Sequence, residues 1–472
     1  MTLSRRNFLQ ASISASALSA FPFAAHAIPS PYILTAGKAR TQILPKKYGK
    51  TDVWAFNNQV SGPVLRVKQG DLFHARFENK LDVPSSIHWH GVRVPNNMDG
   101  VPFITQAPVA PQASFDYAFR PQDAGTFWYH PHLNSAEQVG RGLSGVLIVE
   151  EDSPIDVDQD ISFVLDDWRL GEDGKIIEDF PNLHDRAHGG RFGNVTGVNG
   201  QYKPNFDVQN GERLRLRLIN SANARIFSPE IPGQSVWVIA FDGQPITPLK
   251  LEKQNLRLGP GMRADLIVDV HKTDETSVIM IDRTYPGDPI QLAHFDVSGK
   301  GTPRISNPPI LPANPLSVPD LANAEHRAVV YEGGAMGRMT SAKLNGASDT
   351  AMRDLVQKSG VIWASNGNTY TSLDDLNKAK RLFQLKLGKS YIFSLSNKTS
   401  FQHPIHLHGH TYQLIARNGK KLKTPMWQDT VLISPNETVE IAFVADNPGH
   451  WMFHCHILDH AAAGMVAAIE VA

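Results

Sequence analysis

The sequence predicts an all-β chain built from three copies of one antiparallel β-sandwich. Three thirteen-residue stretches carry that prediction: "VKQGDLFHARFEN" (67–79), "VQNGERLRLRLIN" (208–220) and "LKLGKSYIFSLSN" (385–397), which align without a gap. Each has glycine at the fourth position (Gly70, Gly211, Gly388) and asparagine at the last (Asn79, Asn220, Asn397). Between these points apolar residues alternate, most plainly at Leu214, Leu216 and Leu218, which is the period-two mark of a half-buried strand. The glycine suits a turn just before that strand. Composition agrees, because 36 Gly and 32 Pro in 472 residues favour turns, and few stretches carry a helical stripe.

Self-similarity of this kind divides the chain into three modules, at 32–152, 157–299 and 326–472. The Pro-rich run "GTPRISNPPILPANPLSVP" (301–319) lies in a linker at 300–325 and reads as extended. Short helices are expected around 348–359 and 372–381.

Residues 1–27 stand apart from this pattern. "SRRNFLQ" (4–10) has the paired arginines Arg5 and Arg6 followed by Phe8 and Leu9; a weakly apolar Ala/Ser-rich run follows, and "AHA" (25–27) fits an A-x-A cleavage site. This resembles a bacterial twin-arginine export signal cleaved near Ala27, and implies the export machinery as a partner and the periplasm as destination. A stable membrane anchor is the weaker reading, because the run is short and broken by serines. Lys+Arg and Asp+Glu are both 46, so zero net charge gives no reason to expect nucleic acid or an anionic membrane as partner. The chain is expected to be a monomer.

An exported chain with one cysteine cannot form an internal disulfide, so Cys455 is a thiol that needs protection or a task. It sits in "HCHILDH" (454–460), between two histidines. Nine residues after Asn79 comes His88, opening "HWHG"; nine after Asn397 comes His406, opening "HLHG"; nine after Asn220 comes Pro229. Later in each copy, "AGTFWYHPHL" (124–133) aligns with "PGHWMFHCHI" (448–457). Modules one and three therefore offer four H-x-H pairs: His88/His90, His130/His132, His406/His408 and His454/His456. Residues i and i+2 of a strand share a face, so each pair aims two imidazoles one way. Eight imidazoles suit about three metal ions, and neutral imidazole suits Cu, Zn, Fe and Ni. Cys455 points to the opposite face, where His403, His460 and Met465 are available. Two histidines, a cysteine and a weak axial methionine form the ligand set of a mononuclear blue-copper site.

"HWHG", "WYHPH", "HPIHLHGH" and "HCHILDHAAAGM" resemble the four copper motifs of the multicopper oxidases, the laccase-like family of three Greek-key cupredoxin domains. The likeness covers the mature chain. It implies four copper ions: a type 1 copper on His403, Cys455, His460 and axial Met465; a type 2 copper on His88 and His406; and a type 3 pair on His90, His130 and His456 and on His132, His408 and His454. It also implies that a small reducing substrate gives electrons singly to the type 1 site, that Cys455 relays them, and that O2 is reduced to water. Asp99, in "NNMDG", matches the family's acid near the O2 site and is the candidate proton donor; a plain Asp-Gly turn is the alternative. Several bacterial relatives place a second acid directly after the second type 1 histidine, where this chain has Ala461. Asp429, in "WQDTV", is expected to be structural or to support a ligand.

The resemblance leaves the reductant open. Phenols and aromatic amines come first; Cu(I) or another metal ion in periplasmic copper tolerance is second, because the copper-efflux members carry a long Met-rich insertion where this chain has only Met336, Met339 and Met352. His410 and His450 are expected not to be ligands. His74, His184, His188, His271, His294 and His326 show no metal-like spacing.

Overall fold

The computed structural model describes residues 30–251, 256–272, 277–302, 304 and 306–472. The export-signal segment 1–27 lies outside the described residues. Six sheets fall into three successive pairs. The first pair uses strands within 32–150 and has two four-stranded sheets; the second, within 159–298, has six and four strands; the third, within 325–471, has nine and five. Each pair closes over its own apolar core, with Phe77, Trp89 and Tyr129 in the first, Leu216, Leu218 and Leu266 in the second, and Phe393, Ile441 and Trp451 in the third.

The repeated asparagine now has a physical reason. Asn79, Asn220 and Asn397 are each fully buried at the end of a strand. Each side-chain oxygen accepts the amide two residues on, from Leu81, Ala222 and Thr399. Each side-chain amide donates to carbonyls across the sandwich end: Val83 and Val109, Arg225 and Leu258, Phe401 and Ser434. The same corner is thus tied three times, and it starts the segment that leads to His88, Pro229 and His406.

Two expectations change. Alternation predicted a half-buried strand at 213–220, yet all of Arg213–Asn220 is buried. The arginine face packs inward against carboxylates: Arg213 pairs with Asp269, Arg215 with Asp265 and Glu151, and Arg217 with Asp160. Thr126 of the first module joins this network, donating to Asp265 at 2.6 Å and accepting from Arg217 at 2.9 Å. The helix expected at 348–359 is also interrupted: Asp349–Ala351 pairs as a strand with Ser341–Leu344, followed by single turns. The helix expected at 372–381 runs Leu373–Lys378, with Ser372 capping the amide of Asp375.

Between 299 and 324 no strand or helix occurs among the described residues. This segment touches all three sheet pairs: Asn314 bonds Ala124 and Gln244, Arg213 donates to the Ser306 carbonyl, and Ser317 donates to Asp446. Among the described residues no helix is long and apolar enough to cross a membrane.

Candidate metal centre

Strand pairing places the histidines. His88–His90 lies antiparallel to Gly125–His130, with His88 opposite His130. His403–Leu407 lies antiparallel to Gly449–Cys455, with His406 opposite His454. The matching crossing in the middle pair of sheets puts Pro229 opposite Asp282. The glycine after each first H-x-H pair is required by close approach: at Gly91 (φ +84°) a Cβ would lie 2.2 Å from Arg263, and at Gly409 (φ +67°) 2.4 Å from the Trp451 ring.

The first and third modules meet ring to ring. His88 stacks on His408 at 3.9 Å between centroids, and His90 on His406 at 3.8 Å. All eight H-x-H imidazoles are buried. Their nitrogens converge in sets within 4.8 Å: His132, His408 and His454; His88, His406 and His408; His88, His90 and His130. The set His90, His130 and His456 has centroids 4.8–5.9 Å apart. A separate buried set joins His403, Cys455 and His460, with Sγ 3.5 Å from His403 Nδ1 and 3.8 Å from His460 Nδ1. Met465 is buried in the same core, and its backbone bonds Cys455 and His460.

The outer ring nitrogens are held by oxygen acceptors. Nδ1 of His88, His130, His406 and His454 donates to the carbonyls of Asp99, Pro131, Asp429 and Cys455 at 2.8–2.9 Å. His408 Nδ1 donates to the Asp99 carboxylate at 3.0 Å. His460 Nε2 donates to the His188 carbonyl at 2.7 Å, and His403 Nε2 meets Thr399 Oγ1 at 2.7 Å. Such bonds fix a tautomer whose inner nitrogen carries a lone pair. Burial, then the neighbouring rings, pushes His90, His132, His408 and His456 well below the usual imidazole range. Burial pushes His454 and His460 down to about 3, so both are neutral at pH 7. Burial also pushes the Cys455 thiol up, so a thiolate there needs a cation beside it.

Asp99 is buried between the modules, with carboxylate oxygens 3.0 Å from His408 Nδ1 and 3.2 Å from His88 Nδ1. It is therefore more than an Asp-Gly turn. Ala461 lines a cavity of about 240 Å³ that runs from exposed Thr371 and Ser372 to buried His132 and His454, and among the described residues no carboxylate lines it.

Two residues of the middle module were not singled out from the sequence. Arg263 makes a buried two-pronged pair with Asp429 at 2.6 and 2.8 Å, and Asp242 accepts the backbone amides of Arg263, Asp429 and Thr430. Burial opposes ionisation of Asp429, but the Arg263 guanidinium holds its carboxyl well below the usual range. The pair thereby fixes the carbonyl that receives His406. Its only sequence signal is an arginine at a core-facing position of "RADLIVD", which is legible once burial is known.

Comparison with known proteins decides the family. The multicopper oxidase pattern matches residues 38–154, 166–295 and 348–472. A crystallised multicopper oxidase from Pseudomonas thermotolerans is 37% identical, with a TM-score of 0.80 over 94% of this chain and 99% of that one. The chain belongs to the multicopper oxidase family. A curated multicopper oxidase of Mycobacterium tuberculosis is 29% identical over 88% of this chain and 82% of its own length. A multicopper oxidase from Campylobacter jejuni, described as a metallo-oxidase, is 26% identical with a TM-score of 0.75 over 93% of this chain and 90% of that one. Other relatives carry the names laccase and copper resistance protein. The chain is accordingly a copper-dependent oxidoreductase of three cupredoxin-like domains.

The residues present fit copper. Inner nitrogens of His88, His130 and His406, and both nitrogens of His132 and His456, are buried with no hydrogen-bond partner. Unpartnered buried donors and acceptors are costly, at about 1–3 kcal/mol each. A cation among neutral imidazoles removes that cost. His403 Nδ1 and His460 Nδ1 face each other at 3.1 Å beside the thiol, which suits a soft thiolate-bound ion.

Proposed function

We propose that this multicopper oxidase couples four one-electron oxidations of phenols or aromatic amines to the reduction of one O2 to two waters. One observation carries the reading. The strand Gly449–Cys455 and the residue after it put Cys455 in the His403/His460 set and His454 and His456 in the eight-histidine cluster.

His403, Cys455, His460 and Met465 would hold the type 1 copper, and His88 and His406 the type 2. His90, His130 and His456, and His132, His408 and His454, would hold the type 3 pair. Copper in these positions supplies one-electron redox cycling and the site of O2 reduction. Cys455 is the electron relay, one peptide bond from each of His454 and His456. The carbonyls on the outer ring nitrogens hold each imidazole in its donor orientation. Asp99, bonded to a ring of each module, is the proton donor to the cluster. Among the described residues no carboxylate lines the cavity beside Ala461, so the task falls to Asp99. The N-terminal pattern supports twin-arginine export to the periplasm, and the enzyme is taken to act as a monomer.

A second reading, oxidation of Cu(I) or another metal ion, is favoured by the His188 carbonyl that closes the outer nitrogen of His460. A phenol cannot hydrogen-bond to that nitrogen while the carbonyl is there. O2 uptake by copper-loaded protein with a dimethoxyphenol, Cu(I), Fe(II) and Mn(II) tests both readings. Uptake with none of them overturns the proposed function.

A further inference from the structure

The cavity beside Ala461 is walled by all three modules, and it joins the surface to the eight-histidine cluster. Asn134, Thr371 and Ser372 are exposed at its mouth, and His132 and His454 are buried at its inner end. One water needs about 10–15 Å³ of such space. A cavity of about 240 Å³ therefore has room for a small organic ion.

Two side chains facing this cavity have unmet hydrogen bonding. The first is His132, which is 4% exposed. Neither of its ring nitrogens has a partner among the described residues. Its set with His408 and His454 uses one nitrogen, and the other is left without an acceptor. The other two rings of that set are provided for. His454 Nδ1 donates to the Cys455 carbonyl at 2.8 Å, and His408 Nδ1 donates to the Asp99 carboxylate at 3.0 Å. A buried N–H without an acceptor is costly.

The second is Arg186, on the helix Leu183–Ala187 of the middle module. Among the described residues it is the one charged side chain in the cavity lining. Its carbonyl is engaged, receiving the Trp363 Nε1 proton at 2.7 Å, but its guanidinium makes no hydrogen bond to the described residues. Burial opposes the guanidinium charge, and Asp459 favours it through space only. The polar groups at the mouth are spent elsewhere: Asn134 donates to Glu137, and Ser372 to Asp375. A half-buried cation and a buried ring N–H thus face one cavity that no protein carboxylate enters.

We propose that this cavity binds a small carboxylate ion, of formate or acetate size, held by the Arg186 guanidinium and accepting the outer N–H of His132. A planar guanidinium matches the two oxygens of a carboxylate. A carboxylate also has acceptors enough for both donors, whereas a halide has a single centre. Bound there, the ion orients the His132 ring as the Asp99 carboxylate orients that of His408. It stands beside Ala461, whose methyl group supplies no acceptor. The site is independent of the reductant, and it rests on His132 giving its other nitrogen to copper.

Fluoroacetate is the probe, because its fluorine NMR line broadens on binding. It is titrated against wild type, Arg186→Gln and Ala461→Glu, each copper-loaded and copper-free. Wild type is expected to show saturable broadening that acetate and formate reverse and equal chloride does not. Arg186→Gln loses a charge-assisted hydrogen bond but keeps the carbonyl that receives Trp363; its affinity is expected to fall about tenfold or more. Ala461→Glu brings a carboxylate of its own and is expected to exclude the probe. Wild-type affinity is expected to be higher with copper bound, because the ion strengthens the His132 N–H as a donor. No saturable broadening in wild type, or equal binding in both variants, overturns the site. Chloride that displaces the probe as well as acetate does overturns the carboxylate assignment. Equal affinity with and without copper overturns the His132 contact, and metal analysis of the same samples reports separately on the copper reading.

Discussion

Asp99→Asn separates proton supply from electron delivery. Asparagine keeps the shape of the side chain but replaces a buried carboxyl that can take up and release a proton by an amide that cannot; the carboxyl oxygens lie 3.0 Å from His408 Nδ1 and 3.2 Å from His88 Nδ1. The backbone carbonyl of residue 99, which receives His88 at 2.8 Å, is untouched, so ligand positions are retained. A hydrogen bond to a charged group contributes about 1.5–3 kcal/mol. At about 1.4 kcal/mol per decade, its loss slows the proton-dependent step by roughly 10- to 100-fold. Stopped-flow spectroscopy reads the two halves apart: anaerobic bleaching of the visible Cys455-to-copper band reports electron entry, and its recovery with O2 reports reduction of oxygen. Recovery is expected to slow by that factor while bleaching stays within about twofold of wild type. Unchanged recovery removes Asp99 from the proton path. Equal slowing of both halves makes it a structural residue only.

Two further substitutions probe the support of the site. Arg263→Met strands the carboxylates of Asp242 and Asp429 in a buried interface; removing one partner of a buried pair costs about 3–5 kcal/mol, so the urea midpoint is expected to fall steeply, and a loss below about 1 kcal/mol contradicts the role given to the pair. Asp459 is pushed up to about 6 by burial, against the Arg191 amide that favours its charge. Its folded value lies above its unfolded one, so its contribution to stability is full below about pH 4 and is lost as pH rises through about 6. Asp459→Asn removes that loss; the stability of the variant relative to wild type in copper-free protein is expected to rise from pH 4.5 to pH 7, and a constant difference refutes the assignment.

The clustering of the eight H-x-H histidines was legible because strand geometry is local. A period of two fixes which side chains share a face, and the 67–79, 208–220 and 385–397 repeat fixes where each H-x-H pair falls; the cross-module stacking of His88 on His408 then follows from bringing two like faces together. Arg263, Asp242 and the inward face of Arg213, Arg215 and Arg217 were not legible, because alternation reports polarity and a charge paired inside an interface reads the same as one in water. His188 was missed for a different reason. Its role lies in a backbone carbonyl, which every residue has, at the end of a five-residue helix too short to show a 3.6-residue period.

The central claim is that Cys455 joins a one-ion site to a cluster held by eight histidines. Copper counting on Cys455→Ser tests it most directly. Metal analysis of the loaded wild type is expected to give four ions per chain with an intense visible thiolate band; the variant is expected to keep three ions, lose the band and lose turnover with every reductant. A variant that keeps the band or its turnover, or one that loses the histidine-bound ions together with the thiolate-bound one, contradicts the account.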